Sequence, residues 1–256
     1  MNAAIRFENV TVRVGRTEIL KDLSVSFPKG RISVLLGPNG CGKTTLLQCL
    51  NGMSEITGGH VFLGETDLSS LSGNERSKRI AFLPQVRSII PAIPVQTLVE
   101  HGRFPYLGFS RRMGEEDRKA VRDAMKAVGI SDLKERYVDT LSGGVRQKVF
   151  IAMVLAQGCE TLVLDEPTTF LDPAAQREIM QLLCSLKAQG KTVITVLHDL
   201  DRAADIADYI VVMTKERKTA AAGDAAAVLK SGAIESAFDV QRAEVNAGGR
   251  LRQIFY

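Results

Sequence analysis

Apolar and polar residues alternate at the start of the chain, through Ile5 and Phe7 and then Val10, Val12 and Val14. A repeat of two predicts a half-buried strand. Residues 16–27 repeat the theme, so the opening is expected to form a small antiparallel sheet rather than a separate domain. Further on the alternation gives way to unbroken apolar runs at 32–36, 161–164, 192–197 and 209–213. Such runs predict parallel strands covered on both faces. Helical spacing fills the gaps between them. Asp172 suits an N-cap with Pro173 at the first helical position. Ile179, Leu182, Leu183 and Leu186 then share one face, and Gly190 suits the stop. A second helix is expected from Glu115 to Val128, with Val121, Ala124, Met125 and Val128 on one face and Gly129 ending it. Residues 86–114 are richer in Pro and Gly. The tail from Lys215 is rich in Ala and Gly, with a short helix expected at 224–230.

This order of elements predicts an α/β fold with a P-loop core and an N-terminal antiparallel β subdomain. Its expected parts are core and antiparallel sheet at 1–85 and 158–256, and a helical insert at 86–157. At 256 residues the chain has room for one such domain. Its net charge of +4, without a basic run, gives no case for nucleic acid. No apolar stretch approaches the 18 or so residues that a membrane span needs. The N-terminus lacks the basic and apolar regions of a signal peptide, so the product is expected to stay in the cytoplasm and to reach any membrane through a partner. Cys41, Cys49, Cys159 and Cys184 show neither metal-ligand nor disulfide spacing.

Two stretches carry chemistry. Gly37, Pro38, Asn39, Gly40, Cys41, Gly42, Lys43, Thr44 and Thr45 match the phosphate loop GxxxxGK[ST], after a buried strand and before a helix whose apolar side is Leu46, Leu47 and Leu50. Its glycines let backbone amides curl around phosphate oxygens, and the helix N-terminus adds positive partial charge. Lys43 can reach the β- and γ-phosphates, and the Thr44 hydroxyl can bind Mg²⁺. The loop alone does not separate kinases, GTPases and ATPases. The strand at 161–164 runs into Asp165 and Glu166. Asp165 can support Mg²⁺ and Glu166 can polarise an attacking water.

Leu141-Ser142-Gly143-Gly144-Val145-Arg146-Gln147 resembles the LSGGQ signature of the ABC ATPases, 23 residues before Asp165. Gln85 in Leu-Pro-Gln resembles that family's Q-loop glutamine, residues 169–172 ending in Asp172 its D-loop, and His198 its switch histidine. The resemblance covers roughly residues 5–240. It implies an ATPase using ATP and Mg²⁺, with Glu166, His198 and Gln85 catalytic, and with Thr44, Gln85 and Asp165 around the metal. It implies that Ser142, Gly143 and Gly144 of one copy meet the γ-phosphate held by the other, in a head-to-tail dimer. Membrane permease subunits, and indirectly a solute-binding protein, are the implied partners. The implied place is the cytoplasmic face of the membrane, with residues 86–114 seating a coupling helix of the permease.

Three positions depart from the family pattern. Val14 stands where an aromatic ring usually stacks on adenine, which leaves Arg13 or Arg16 as candidates for that role. Val145 replaces the signature glutamine. Cys41 replaces a Ser or Ala in the loop, and a helix N-terminus favours its thiolate, which would make it open to oxidation; sequence drift is the plainer reading. Gly-Arg-Phe-Pro-Tyr at 102–106 and Thr-Thr-Phe-Leu-Asp at 168–172 resemble the subfamily that imports iron siderophores, haem and vitamin B12. Ferric-siderophore import is therefore expected, with haem or cobalamin as the alternative. A non-transport ABC ATPase would usually carry a coiled-coil insert or two cassettes. A kinase or GTPase would leave Ser142-Gly-Gly and His198 unexplained.

Overall fold

The computed structural model describes residues 3–85, 92–108, 112–247 and 250–256. Twelve strands appear among them: β1 (Ala3–Val14), β2 (Thr17–Pro28), β3 (Ile32–Leu36), β4 (Ile56–Leu63), β5 (Thr66–Asp67), β6 (Ile80–Leu83), β7 (Thr161–Leu164), β8 (Thr192–Val196), β9 (Tyr209–Met213), β10 (Thr219–Asp224), β11 (Arg242–Ala247) and β12 (Arg250–Phe255). The α-helices are α1 (Lys43–Asn51), α2 (Gly73–Ser77), α3 (Val95–Glu100), α4 (Glu115–Ala127), α5 (Gly143–Ala156), α6 (Pro173–Ala188), α7 (Leu200–Ile206), α8 (Ala225–Lys230) and α9 (Ala233–Phe238).

The opening alternation makes β1, paired antiparallel with β2 and β4 in a sheet of order β2-β1-β4-β5. The buried set shifts phase, from Ile5 and Phe7 to Val10 and Val12. A register shift between Phe7 and Val10 takes up the extra residue, and Asn9 there adopts φ 49°. Its counterpart on β2 is Asp22 at φ 51°, between the buried Leu20 and Leu23. Asn and Asp are the side chains that tolerate the left-handed region best. The two bulges are tied together, because the Asp22 amide donates to Thr11 Oγ1 at 3.1 Å and the Ser24 hydroxyl to Asn9 Oδ1 at 2.9 Å. Val14 does not continue the buried face: it is 60% exposed at the strand end, past a further register shift.

The unbroken runs form a sheet of order β10-β9-β3-β8-β7-β6, parallel from β9 to β6, with β10 antiparallel at the edge. Both faces are covered. Ile32, Val34 and Leu36 of β3, with Leu162, Leu164, Ile210 and Val212, join one core with the helices. Leu35, Val163, Ile194, Val196 and Val211 join a second core with α1 and the antiparallel sheet. Burying each such side chain contributes about 1.5–3 kcal/mol, so a polar residue on either face of these strands would be costly.

Between β6 and β7 the regular elements among the described residues are helices, joined by turns and one bridge, Pro94 to Tyr137. α6 starts as its sequence predicts, with Asp172 Oδ1 accepting from the Ala174 and Ala175 amides at 2.9 Å. The tail holds more than one short helix: after α8 come α9 and the β11–β12 hairpin, whose Phe255 amide donates to Asp201 at the start of α7. No described helix is long and apolar enough to cross a membrane.

Candidate active site

Because β9, β3, β8, β7 and β6 run parallel, their C-terminal ends lie along one edge of the sheet in that order. Four of these strands are followed there by a chemical group. β3 leads into the phosphate loop, β8 toward His198, β7 into Asp165 and Glu166, and β6 toward Gln85. A ligand crevice at the carboxyl ends of parallel strands is what such sheets provide. A pocket of about 750 Å³ opens there, lined by Asn39, Gly40, Gly42, Lys43, Thr44, Thr45, Gln85, Glu166, Thr169, His198, Ile19 and Arg217.

Gly40 and Gly42 take φ 78° and 99°, which turns the loop into the N-terminus of α1. Lys43 is 6% exposed, and its Nζ donates to the carbonyls of Gly37 at 2.6 Å and Pro38 at 3.0 Å. The ammonium is thus held across the loop that it would share with a phosphate. Cys41 is fully buried beneath the loop, its sulphur 3.8 Å from Lys43 Nζ. The thiol is packed away from solvent, which favours the plainer reading of sequence drift over an oxidant-accessible group.

Glu166 is the hub of the opposite end. Gln85 Nε2 donates to its Oε2, Thr169 Oγ1 donates to the same oxygen at 3.0 Å, and His198 Nε2 stands 2.6 Å from Oε1. The backbone of Glu166 lies at φ 53°. A non-glycine residue there carries about 1–3 kcal/mol of strain, which persists only where the surroundings fix it. Thr169 was not foreseen as a member of this cluster, although the motif containing it was.

Asp165 is 1% exposed, and neither of its carboxylate oxygens accepts a hydrogen bond. Burial pushes its pKa above the ordinary aspartate range; the nearby Thr44 hydroxyl opposes this, Glu166 adds to it, and Lys43 and His198 oppose it. A buried, unpaired carboxylate beside a threonine hydroxyl is a donor set that suits a hard divalent cation.

Ser142, Gly143 and Gly144 lie elsewhere, at the start of α5, and do not line the pocket. Ser142 has N-cap dihedrals, φ −61° and ψ 157°, but its hydroxyl caps no amide, unlike Asp172 on α6. The expected cap is therefore formed in the backbone only, and Ser142 and Gly143 are exposed. Gly144 has a packing reason as well, since a Cβ there would stand 2.7 Å from the Ala175 Cβ of α6.

The segment 102–106 grips the other end of α5. Arg103 donates through Nη1 to the Ala156 carbonyl at 2.9 Å and through Nε to Asp117 of α4 at 2.9 Å. Its guanidinium lies 3.8 Å over the Tyr106 ring, whose hydroxyl donates to the Gln157 carbonyl at 2.8 Å. A Cβ on Gly102 would come within 2.1 Å of the Met153 carbonyl oxygen, so no other residue fits. These contacts satisfy carbonyls that a helix end leaves open. Of the stretch 86–114 expected to seat a permease helix, residues 86–91 and 109–111 lie outside the described residues.

Arg13 points to Glu18 at 3.3 Å, and neither it nor Arg16 lines the pocket; Ile19 and Arg217 do. Nothing in the local sequence around 217 signals this.

Comparison with known proteins agrees with this geometry. Residues 20–169 match the protein family described as ABC transporter. The chain is 42% identical to the iron(3+)-hydroxamate import ATP-binding protein of Bacillus subtilis, over 81% of this chain and 78% of that one. It is 38% identical to the ferric enterobactin transport ATP-binding protein of Escherichia coli, over 93% and 88%. A solved inward-facing structure of a metal-chelate type ABC transporter superposes with a TM-score of 0.86 at 26% identity, covering 100% of this chain and 97% of that one. A phosphate loop, a clustered Gln85–Glu166–His198 and a separate Ser142-Gly-Gly helix start thus occur together in a chain that belongs to the ABC transporter family as an ATP-binding, ATP-hydrolysing subunit.

Proposed function

We propose that two copies of this chain close head to tail around two ATP molecules and power a membrane permease that imports ferric siderophore. The observation that carries this reading is the separation of two anion-binding helix starts. α1 belongs to a pocket complete at its phosphate and water end, whereas α5 offers an uncapped Ser142 hydroxyl with no phosphate site of its own chain beside it. A site split in this way is completed by a second copy, and a two-fold axis then makes two equal sites. The solute rests on the relatives, which are named for iron(3+)-hydroxamate and ferric enterobactin transport, and the cytoplasmic face of the membrane is proposed as the side on which ATP is supplied.

In this mechanism the loop amides and Lys43 hold the β- and γ-phosphates. Thr44, Asp165 and Gln85 would hold Mg²⁺, which when bound neutralises charge developing on the phosphate oxygens. Glu166 orients a water and accepts its proton while the water oxygen bonds to the γ-phosphorus. The bond from that phosphorus to the bridging oxygen breaks, and ADP leaves with the electron pair. His198 and the partner copy's signature donate to the γ-phosphate oxygens as their charge grows. Gln85 links the water site to the helical stretch that follows it.

Glu166→Gln keeps the side chain's shape and removes the base. Turnover should fall about 10²–10⁴-fold, and the variant should elute as an ATP-bound dimer. A monomer at saturating ATP would argue against the closed pair. For the solute, uptake of labelled ferric siderophore, haem and cobalamin is compared in source cells carrying wild type or this variant. Loss of ferric-siderophore uptake alone is expected; loss of another uptake instead would reassign the solute.

A further inference from the structure

The order of groups along the sheet edge also fixes which way a nucleotide must lie. The groups that meet the γ-phosphate and the water, His198, Glu166 and Gln85, follow β8, β7 and β6, all on one side of the phosphate loop. With the phosphates on the loop and the terminal one on that side, the nucleoside must extend the other way, toward β9 and its turn into β10. There the pocket is closed by two side chains, Ile19 of β2 and Arg217 of the β9–β10 turn. The ring expected for adenine is missing, because Val14 is exposed and lines no part of the pocket.

We propose that Arg217, backed by Ile19, is the platform for the nucleobase, its guanidinium stacking on the purine in place of an aromatic ring. Two further observations support this. Arg217 Nη1 donates to the Glu18 carbonyl at 2.7 Å, which fixes the guanidinium next to Ile19 and spans the two sheets. Its backbone lies at φ 65°, a region where glycine is unstrained and arginine is not. A turn alone would be better made with glycine, so the side chain has a reason to be there beyond the turn. A planar cation stacks on any base and reads no hydrogen-bonding edge. The platform should therefore hold ATP and GTP with similar strength, and it is a specificity-determining residue only for the presence of a base.

The test is calorimetric titration of the full chain with ATP, GTP and inorganic tripolyphosphate. Arg217→Gly suits the turn and should unfold at or above the wild-type temperature. It should bind ATP and GTP roughly three- to thirtyfold more weakly and tripolyphosphate unchanged. In the double variant, Val14→Tyr should recover the lost ATP affinity. Unchanged ATP affinity in Arg217→Gly would overturn the proposal. So would an equal loss for tripolyphosphate, which would place Arg217 on the phosphates or the fold. Failure of the double variant to recover would show that Arg217 does not stand in for the ring. Because these readouts need neither dimer nor permease, they are independent of the importer reading.

Discussion

The helices α1 and α5 both begin at glycine-rich turns that can bind an anion, yet they are built differently. At α1 the turn is closed on itself, with Lys43 satisfied by two carbonyls of its own loop and the whole start lying inside a pocket. At α5 the turn is open, Ser142 caps nothing, and Ser142 and Gly143 are exposed. A helix start that keeps its donors unspent can hold a charge from outside the chain. On the proposed head-to-tail reading, the two helix starts are the two halves of a phosphate clamp that a second copy completes.

Complementation would break that comparison most sharply. Lys43→Ala and Ser142→Arg should each lower ATP turnover in the assembled transporter on the order of 10²–10³-fold, with Ser142→Arg still binding ATP. A mixture should recover up to about a quarter of wild-type turnover, because half of the dimers then hold one intact site. No recovery would mean that both lesions strike the same site. Next in size is Gly144→Ala, which forces α5 from Ala175 of α6. A loss of about 1–3 kcal/mol is expected, read as a lower melting temperature, with turnover reduced and ATP binding by α1 unchanged.

An effect of similar size on stability, with the site itself untouched, concerns the far end of α5. The Arg103–Asp117 pair is mostly shielded, with 11% and 15% of the side chains exposed, and Asp117→Asn should cost about 2 kcal/mol, below the range for a fully buried pair. Burial raises the Asp117 pKa, but the Arg103 guanidinium and the Gly114 amide outweigh it and hold the carboxyl below the usual 3.8. The pair's contribution is therefore complete above that value and lost as pH falls through the depressed one. The stability gap between wild type and Asp117→Asn, followed by denaturant titration, should stay constant from neutral pH down to about 4 and shrink below it.

What the sequence showed and what it hid divide along the same line between local and non-local structure. The phosphate loop, Asp165–Glu166 and the Asp172 cap are sets of neighbouring residues, and their backbone geometry follows from their own side chains. The five-residue runs of β3, β8 and β9 were legible because a strand covered on both faces shows no polar alternation, and its few polar members, such as Ser33 and Thr195, are small and fully buried. β6, Ile-Ala-Phe-Leu, is as short as β7 but lacks the acid pair that marks the end of β7, and the β11–β12 hairpin carries charges at positions that no core selects. The slip in the alternation between Phe7 and Val10 was visible in the residues, but its cause, a bulge turned by Asn9, needed the pairing partner. Ile19 and Arg217 reach the site through strand order and the Glu18 carbonyl, which no window of sequence contains, whereas Thr169 stands only three residues from the Glu166 carboxylate that it meets.

The grip of Arg103 and Tyr106 on the last carbonyls of α5 has a mechanical meaning. A helix of 14 residues is a rod about 21 Å long. One end is fastened to the turn at 102–106 and the other carries Ser142, so a tilt of about 5° at the fastened end sweeps the serine through about 2 Å. That distance separates a hydrogen bond from none, so in the proposed closed pair a small push on this turn would be enough to engage or release a phosphate at the opposite end of the rod.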